Sequence, residues 1–188
     1  YLNPEAIKTS IEHIEIICGT DSIKEVRLWM PNASLPPELM DAIKKMFAKA
    51  KHIQKIQLMG PAHDFITIAQ AFSENQNIRE VEVVPHGSIS EVQERELIQI
   101  LHSMSSLERL SFSAGLHPSS WQRFADTFNQ ANSIKSLKFG VFSYVPMPLS
   151  ALESFTERLK EKNDLECLHL PKVFLTQSYP IQDMVDLF

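Results

Sequence analysis

The chain repeats one short pattern of apolar and polar positions, apolar-x-x-apolar-x-apolar, six times. Its three apolar positions are filled by apolar residues in every copy. The residues one, two and four places after the first position are polar in 17 of 18 cases, and Cys167 is the exception. This alternation has the period of a strand with one buried face. The first positions, 25 to 31 residues apart, are Ile23, Ile53, Ile78, Leu107, Ile134 and Leu165.

A second set of apolar positions precedes each strand at helical spacing. A large apolar residue stands six places before every first position, and another stands ten places before it in five units, with His13 as the exception. Offsets of three and four residues mark one face of an α-helix. The pattern predicts helices over 4–18, 38–50, 63–74, 91–105, 119–131, 149–162 and 181–188. Because each helix returns the chain to the start of the next strand, the strands are predicted to be parallel.

The repeat also predicts how the chain is organised. A unit of one strand and one helix cannot bury its apolar strand face alone, so neighbouring units stack into a solenoid. We therefore expect residues 1–188 to form a single repeat domain of about six strand-helix units. The chain begins at Tyr1 without a methionine and ends at Phe188 inside a helical pattern, which is expected of a fragment of a longer chain.

The six repeated cores, with a helix in each unit and a period near 28 residues, resemble leucine-rich repeats of the ribonuclease-inhibitor-like subtype. The resemblance implies an α/β solenoid shaped like a horseshoe, with parallel strands on the concave side and helices on the convex side. It also implies that the chain binds another protein. The degenerate form of the repeats is similar to that in effector proteins of intracellular bacteria.

The chain departs from this family eight residues after the first position of each unit. The family places Asn or Cys there, and its side chain bonds to the backbone of the turn. Here the turns must satisfy their backbone polar groups in another way. The six residues at this place are Pro31, Pro61, His86, Gly115, Phe142 and Val173.

Composition narrows the classes of function. The net charge of −5 and the pI of about 5.8 argue against a general binder of nucleic acid or anionic membranes. No apolar run approaches the ~18 residues of a membrane span, so no membrane insertion is expected. Two cysteines cannot form a disulfide framework, which favours a reducing intracellular compartment, and for an effector this would be the host cytosol.

The strand face that points away from the helices holds the candidate site. Residues two places after each first position alternate in sign over the first four units. They form either a ladder of salt bridges that only solvates the sheet, or a docking surface of mixed charge with Trp29 and Met59 as apolar contacts. The two interpretations are compatible. The predicted partner-binding residues are Glu25, Arg27, Trp29, Lys55, Gln57, Met59, Glu80, Glu82, Arg109 and Lys138.

Catalytic and metal chemistry find little support in the sequence. The histidines show no H-x-x-x-H spacing and there is no C-x-x-C, so neither a metal nor a cofactor is expected. Cys167 and His169 share one strand face, but an open face does not shelter a thiolate nucleophile, and we expect no enzyme activity. Basic and acidic residues are mixed on the strand face, which suits a protein partner better than a nucleic acid.

The predicted function is therefore that of a protein-protein interaction module that uses the concave face. One alternative stays open at this point. The chain could be the substrate-recognition or targeting module of a larger enzyme whose catalytic domain lies outside it.

Overall fold

The computed structural model describes residues 3–31, 34–87, 89–113, 117, 120–121, 123–124, 133–139, 153 and 165–169. Helices and strands alternate from the start of this part of the chain. Their order and bounds are α1 (Pro4–Gly19), β1 (Glu25–Trp29), α2 (Pro37–Lys49), β2 (Lys55–Gly60), α3 (Ala62–Ser73), β3 (Glu80–Pro85), α4 (Glu91–Ser103), β4 (Arg109–Phe112), β5 (Ser136–Phe139) and β6 (Cys167–His169).

The four helices begin and end within about two residues of the predicted bounds. Two of them start at side-chain caps. Asn3 accepts a hydrogen bond from the Ala6 N–H at 2.7 Å, and Ser90 forms a capping box with Gln93. Most of the helices predicted over 119–131 and 149–162, and all of that over 181–188, lie outside the described residues. Those described there are helical: Ser120, Trp121, Arg123, Phe124 and Glu153.

The six strands form one parallel sheet in the order of the chain, from β1 to β6. Equivalent positions of the repeat are register partners: Glu25 lies beside Lys55, Lys55 beside Glu80, and Glu80 beside Arg109. The predicted parallel strands and the predicted rows of residues across them are confirmed. The chain has an α/β fold in which α2, α3 and α4 each connect two neighbouring parallel strands.

The helices lie as a layer on one face of this sheet. Consecutive helices contact one another from α1 to α4. Alternate residues of β1 to β4 are the more buried ones and belong to the core that these helices share. Strand residues such as Val81 and Leu137 are fully buried in one apolar core with helix residues such as Phe47 and Phe72. The rings of those two phenylalanines meet edge to face at 5.6 Å. The intervening strand residues point to the opposite face, which we call the open face.

Side chains in the helix-to-strand turns bond to the preceding unit. The Asn75 side chain, 1% exposed, donates to the carbonyls of Phe47 and Ala50 at 3.2 and 3.1 Å. One turn later along the chain, the Ser106 hydroxyl donates to the carbonyl of Ile78 at 3.0 Å. These bonds satisfy backbone acceptors near the ends of helices and at the starts of strands, where the regular ladders do not reach.

Two buried carboxylates accept hydrogen bonds from the strand-to-helix turns. Glu94 of α4 is 1% exposed and accepts from the backbone N–H of His117 at 3.0 and 3.1 Å, and from the hydroxyl of Ser120. Asp64 of α3 is 7% exposed and accepts from the N–H of Leu35 at 3.2 Å. At these two turns, a carboxylate from a neighbouring helix satisfies a backbone donor.

Gly60 allows two of these turns to approach closely. Its φ is +147°, and a Cβ built on it would lie 2.7 Å from the Cβ and 2.8 Å from the carbonyl oxygen of Met30. We expect Gly60→Ala to lower the free energy of unfolding by about 2 kcal/mol, since both the strained φ and the clash must be relieved by moving backbone. Urea unfolding measures this loss.

Gly19 is the matched control, because a Cβ built there meets nothing within 4 Å. Gly19→Ala should change the free energy of unfolding by less than about 1 kcal/mol. Equal losses of unfolding free energy in the two variants would mean that the close approach to Met30 does not destabilise Gly60→Ala.

Candidate functional site

All ten sequence-predicted site residues lie on the open face. They occupy the outward positions of five adjacent strands, from β1 to β5. The residues between them are buried in the core, except Leu28, which is partly buried against it. The structure divides them into three groups: five charged residues that bind one another, two apolar residues at the carboxyl-terminal ends of β1 and β2, and Gln57, Glu82 and Lys138, whose side chains make no hydrogen bond or ion pair within the described part of the chain.

The first group is a ladder of ion pairs across β1 to β4. The Nζ of Lys55 lies 2.9 Å from Glu80 and 3.9 Å from Glu25, and Arg109 lies 3.9 Å from Glu80. Within β1, the Nε of Arg27 donates to Glu25 at 2.7 Å. The predicted ladder of alternating charges is therefore present. Pairs this exposed contribute about 0–1 kcal/mol each, so the ladder orders the surface more than it stabilises the fold.

The pKa shifts in the ladder follow these contacts. The hydrogen bond from Arg27 lowers the pKa of the Glu25 carboxyl and raises the pKa of the guanidinium. The hydrogen bond to Glu80 raises the pKa of Lys55, and the nearby Glu82 charge adds to this effect. Each of these shifts favours the charged form, so Glu25, Arg27 and Lys55 stay charged at neutral pH.

A second charged cluster lies at the amino-terminal ends of the strands. Glu108 forms ion pairs with Arg79 and, at 3.8 Å, with Lys135. None of these three residues is among the predicted partner-binding residues. The alternation of charge that revealed the first ladder also runs through this row, one place before the strands begin.

Three apolar side chains form a row at the carboxyl-terminal ends of β1, β2 and β3. Trp29, Met59 and Val84 are register partners, and we call them the apolar row. Trp29 is 76% exposed, the highest value for a large apolar residue in the described part of the chain. The indole therefore does not fold over the Pro31 corner as a lid. Met59 and Val84 are partly buried beneath the surface of the same face.

The end of the sheet beyond β4 differs from the prediction at one position. Ser136 occupies an outward position of β5, between its register neighbours Arg109 and Cys167, but is only 7% exposed. Cys167 is half-buried and, like Cys18, carries a free thiol. His169 is exposed on the same strand. No residue packs over this pair to shelter it within the described ranges.

The described residues hold no group of three or more His, Cys, Asp or Glu side chains placed to bind a metal ion. None of the helices described is long and apolar enough to cross a membrane. No family model matches the chain, and no curated protein matches it.

Proposed function

We propose that the chain is a leucine-rich-repeat solenoid that binds another protein through the open face, which would be its concave side. Three features support this: the strands follow the order of the chain, equivalent repeat positions are in register, and the helices in the described part of the chain pack against one face of the sheet. In a doubly wound α/β fold both faces of the sheet are covered, and its strands are apolar on both sides. Here the outward positions are polar and charged, as a surface in contact with water or a polar partner requires.

The exposure of Trp29 is the observation that carries the proposed binding function. An indole left in water keeps a large apolar area hydrated, at about 25 cal/mol per Å² of area that could be buried. Tryptophan, methionine and arginine are enriched at the centres of protein interfaces, where polar groups surround them. Trp29 has Met59 as its register partner and Arg27 two residues before it on the same face, with the ion-pair ladder beside them.

Trp29→Ala is expected to cost at least about 2 kcal/mol of binding free energy, which is roughly thirtyfold in affinity. The melting temperature should stay unchanged, because the ring is exposed and contributes little to the core. The partner would first be captured by crosslinking in a cell lysate and identified by mass spectrometry. Its affinity would then be measured by calorimetry for the wild-type protein and the variant.

Val92→Ala is the matched control, since Val92 is 59% exposed but lies on α4, in the helix layer. It should leave the affinity unchanged. If Trp29→Ala keeps full affinity and melts at a lower temperature, Trp29 is a packing residue and the proposed surface is wrong.

A further inference from the structure

Glu82 is an unpaired carboxylate at the centre of the open face. The six strands carry three carboxylates, and two of them, Glu25 and Glu80, hold cations within 4 Å. Glu82 is half-buried, and its side chain makes neither an ion pair nor a hydrogen bond with any residue that the structure describes. Its register neighbours on both sides, Gln57 and Ser111, are uncharged.

The nearest cations are already engaged by other carboxylates. Glu82 raises the pKa of Lys55 and Arg27, but in each case as the smallest contribution, after the residues to which they are bonded. Lys55 binds Glu80 at 2.9 Å and Arg27 binds Glu25 at 2.7 Å. The negative charge of Glu82 is thus felt on this surface without being neutralised by a direct contact.

Glu82 also lies next to the apolar row. It precedes Val84 by two residues on the same face of β3, which places the two Cα atoms about 6.7 Å apart along the strand. Met59 is the register partner of Val84, and Trp29 that of Met59. If a side chain of the partner packs on the apolar row, the residues next to it in the partner lie over Glu82.

Resting on the proposed function, we infer that the partner is a protein segment that places a bulky apolar side chain on the apolar row and a lysine or arginine against Glu82. Covering Glu82 with an apolar or acidic surface would leave a desolvated, uncompensated charge, which is costly. A cationic side chain compensates that charge and rejects partners that lack it. Arginine fits best, because its guanidinium can hold both carboxylate oxygens.

The experiment selects peptides from a displayed library of random twelve-residue sequences against four immobilised proteins. These are the wild-type chain, Glu82→Arg, Trp29→Ala and the control Glu166→Arg. Glu166 is an exposed carboxylate that, like Glu82, makes no ion pair with the residues described, but it precedes β6 at the far end of the sheet. Circular dichroism confirms that each variant is folded.

We expect the wild-type protein and Glu166→Arg to enrich the same peptides, with a lysine or arginine close to a bulky apolar residue. Glu82→Arg should enrich peptides with an aspartate or glutamate at that place instead. Trp29→Ala should enrich none above background. For the best wild-type peptide, Glu82→Gln should weaken binding about tenfold in dilute buffer, and less in 0.5 M salt.

Two results would overturn the inference, and they are distinguishable. If the peptides depend on Trp29 but keep the same charge with Glu82→Arg, the open face binds protein segments and the role of Glu82 is wrong. If no peptide is enriched in a Trp29-dependent way, both the inference and the proposed function fail.

Discussion

Leu110→Ala is expected to lower the free energy of unfolding by about 2–5 kcal/mol. Leu110 is 3% exposed on β4 and lies in register between Val81 and Leu137, both fully buried. Truncation removes apolar contacts and leaves a cavity that the flanking strands cannot close, because the sheet fixes their spacing. Urea or thermal unfolding followed by circular dichroism measures the loss.

Arg109→Ala is the control for this prediction, one residue earlier on the same strand. The Arg109 side chain is 53% exposed and its contact with Glu80 is 3.9 Å, so its removal should cost less than about 1 kcal/mol. Equal shifts of the urea midpoint in the two variants would contradict the assignment of buried and open faces.

Glu94→Ala should also be strongly destabilising, by about 2–4 kcal/mol. The variant leaves the N–H of His117 without the carboxylate that accepts from it and removes the acceptor of the Ser120 hydroxyl, which is buried. Hydrogen bonds to a charged acceptor are worth more than neutral ones, and an unsatisfied buried donor loses its solvation as well. The measurement is the free energy of unfolding at neutral pH.

Glu91→Ala on the same helix provides the comparison. Its contact with Arg95, at 3.8 Å, joins two exposed side chains one helical turn apart, and its loss should cost less than about 0.5 kcal/mol. The loss of unfolding free energy for Glu94→Gln should lie between those of Glu94→Ala and Glu91→Ala. An amide keeps one acceptor oxygen but places an N–H opposite a donor. If Glu94→Ala leaves the free energy of unfolding unchanged, water replaces the carboxylate as the hydrogen-bond acceptor without loss.

The strands, their order and their register could be predicted because the repeat fixes all three at once. A two-residue period assigns each strand residue to one face, and equivalent positions in successive units become neighbours. Ile56 and Val81, which share one position of the repeat, are indeed buried register partners. The same logic placed the charged rows of the open face correctly.

The buried polar groups could not be predicted in this way, although one left a signal. Glu94 stands thirteen residues before a first position, where other units carry Met40, Phe65 or Trp121. A carboxylate in a column that is apolar in four of the six units indicates a buried acid with a specific donor. Asp64 and Asn75 left no such signal, because acids and amides near helix ends are common on solvated surfaces as well.

The sequence also left open which charges of the candidate site neutralise each other. Lys55 has a carboxylate on each neighbouring strand and could have turned to Glu25 or Glu80, and Glu80 and Glu82 stand on the same face of one strand. The choice depends on side-chain rotamers and small differences in distance, 2.9 against 3.9 Å in this case. That choice leaves Glu82 unpaired, so it decides which residue is available to a partner.

The side-chain bonds of the helix-to-strand turns have a consequence for cooperativity. Asn75 donates to the carbonyls at the end of α2, and Ser106 donates to the carbonyl of Ile78. Each of these two turns therefore supplies a donor to backbone acceptors of the preceding unit. Local opening around Asn75 would leave backbone acceptors of the preceding unit without their donor. The free-energy cost of opening therefore involves two consecutive units. Neighbouring units should therefore exchange their amide hydrogens as coupled blocks. Opening of α1, where Ile14 is the one buried residue, costs far less, so α1 should exchange before them.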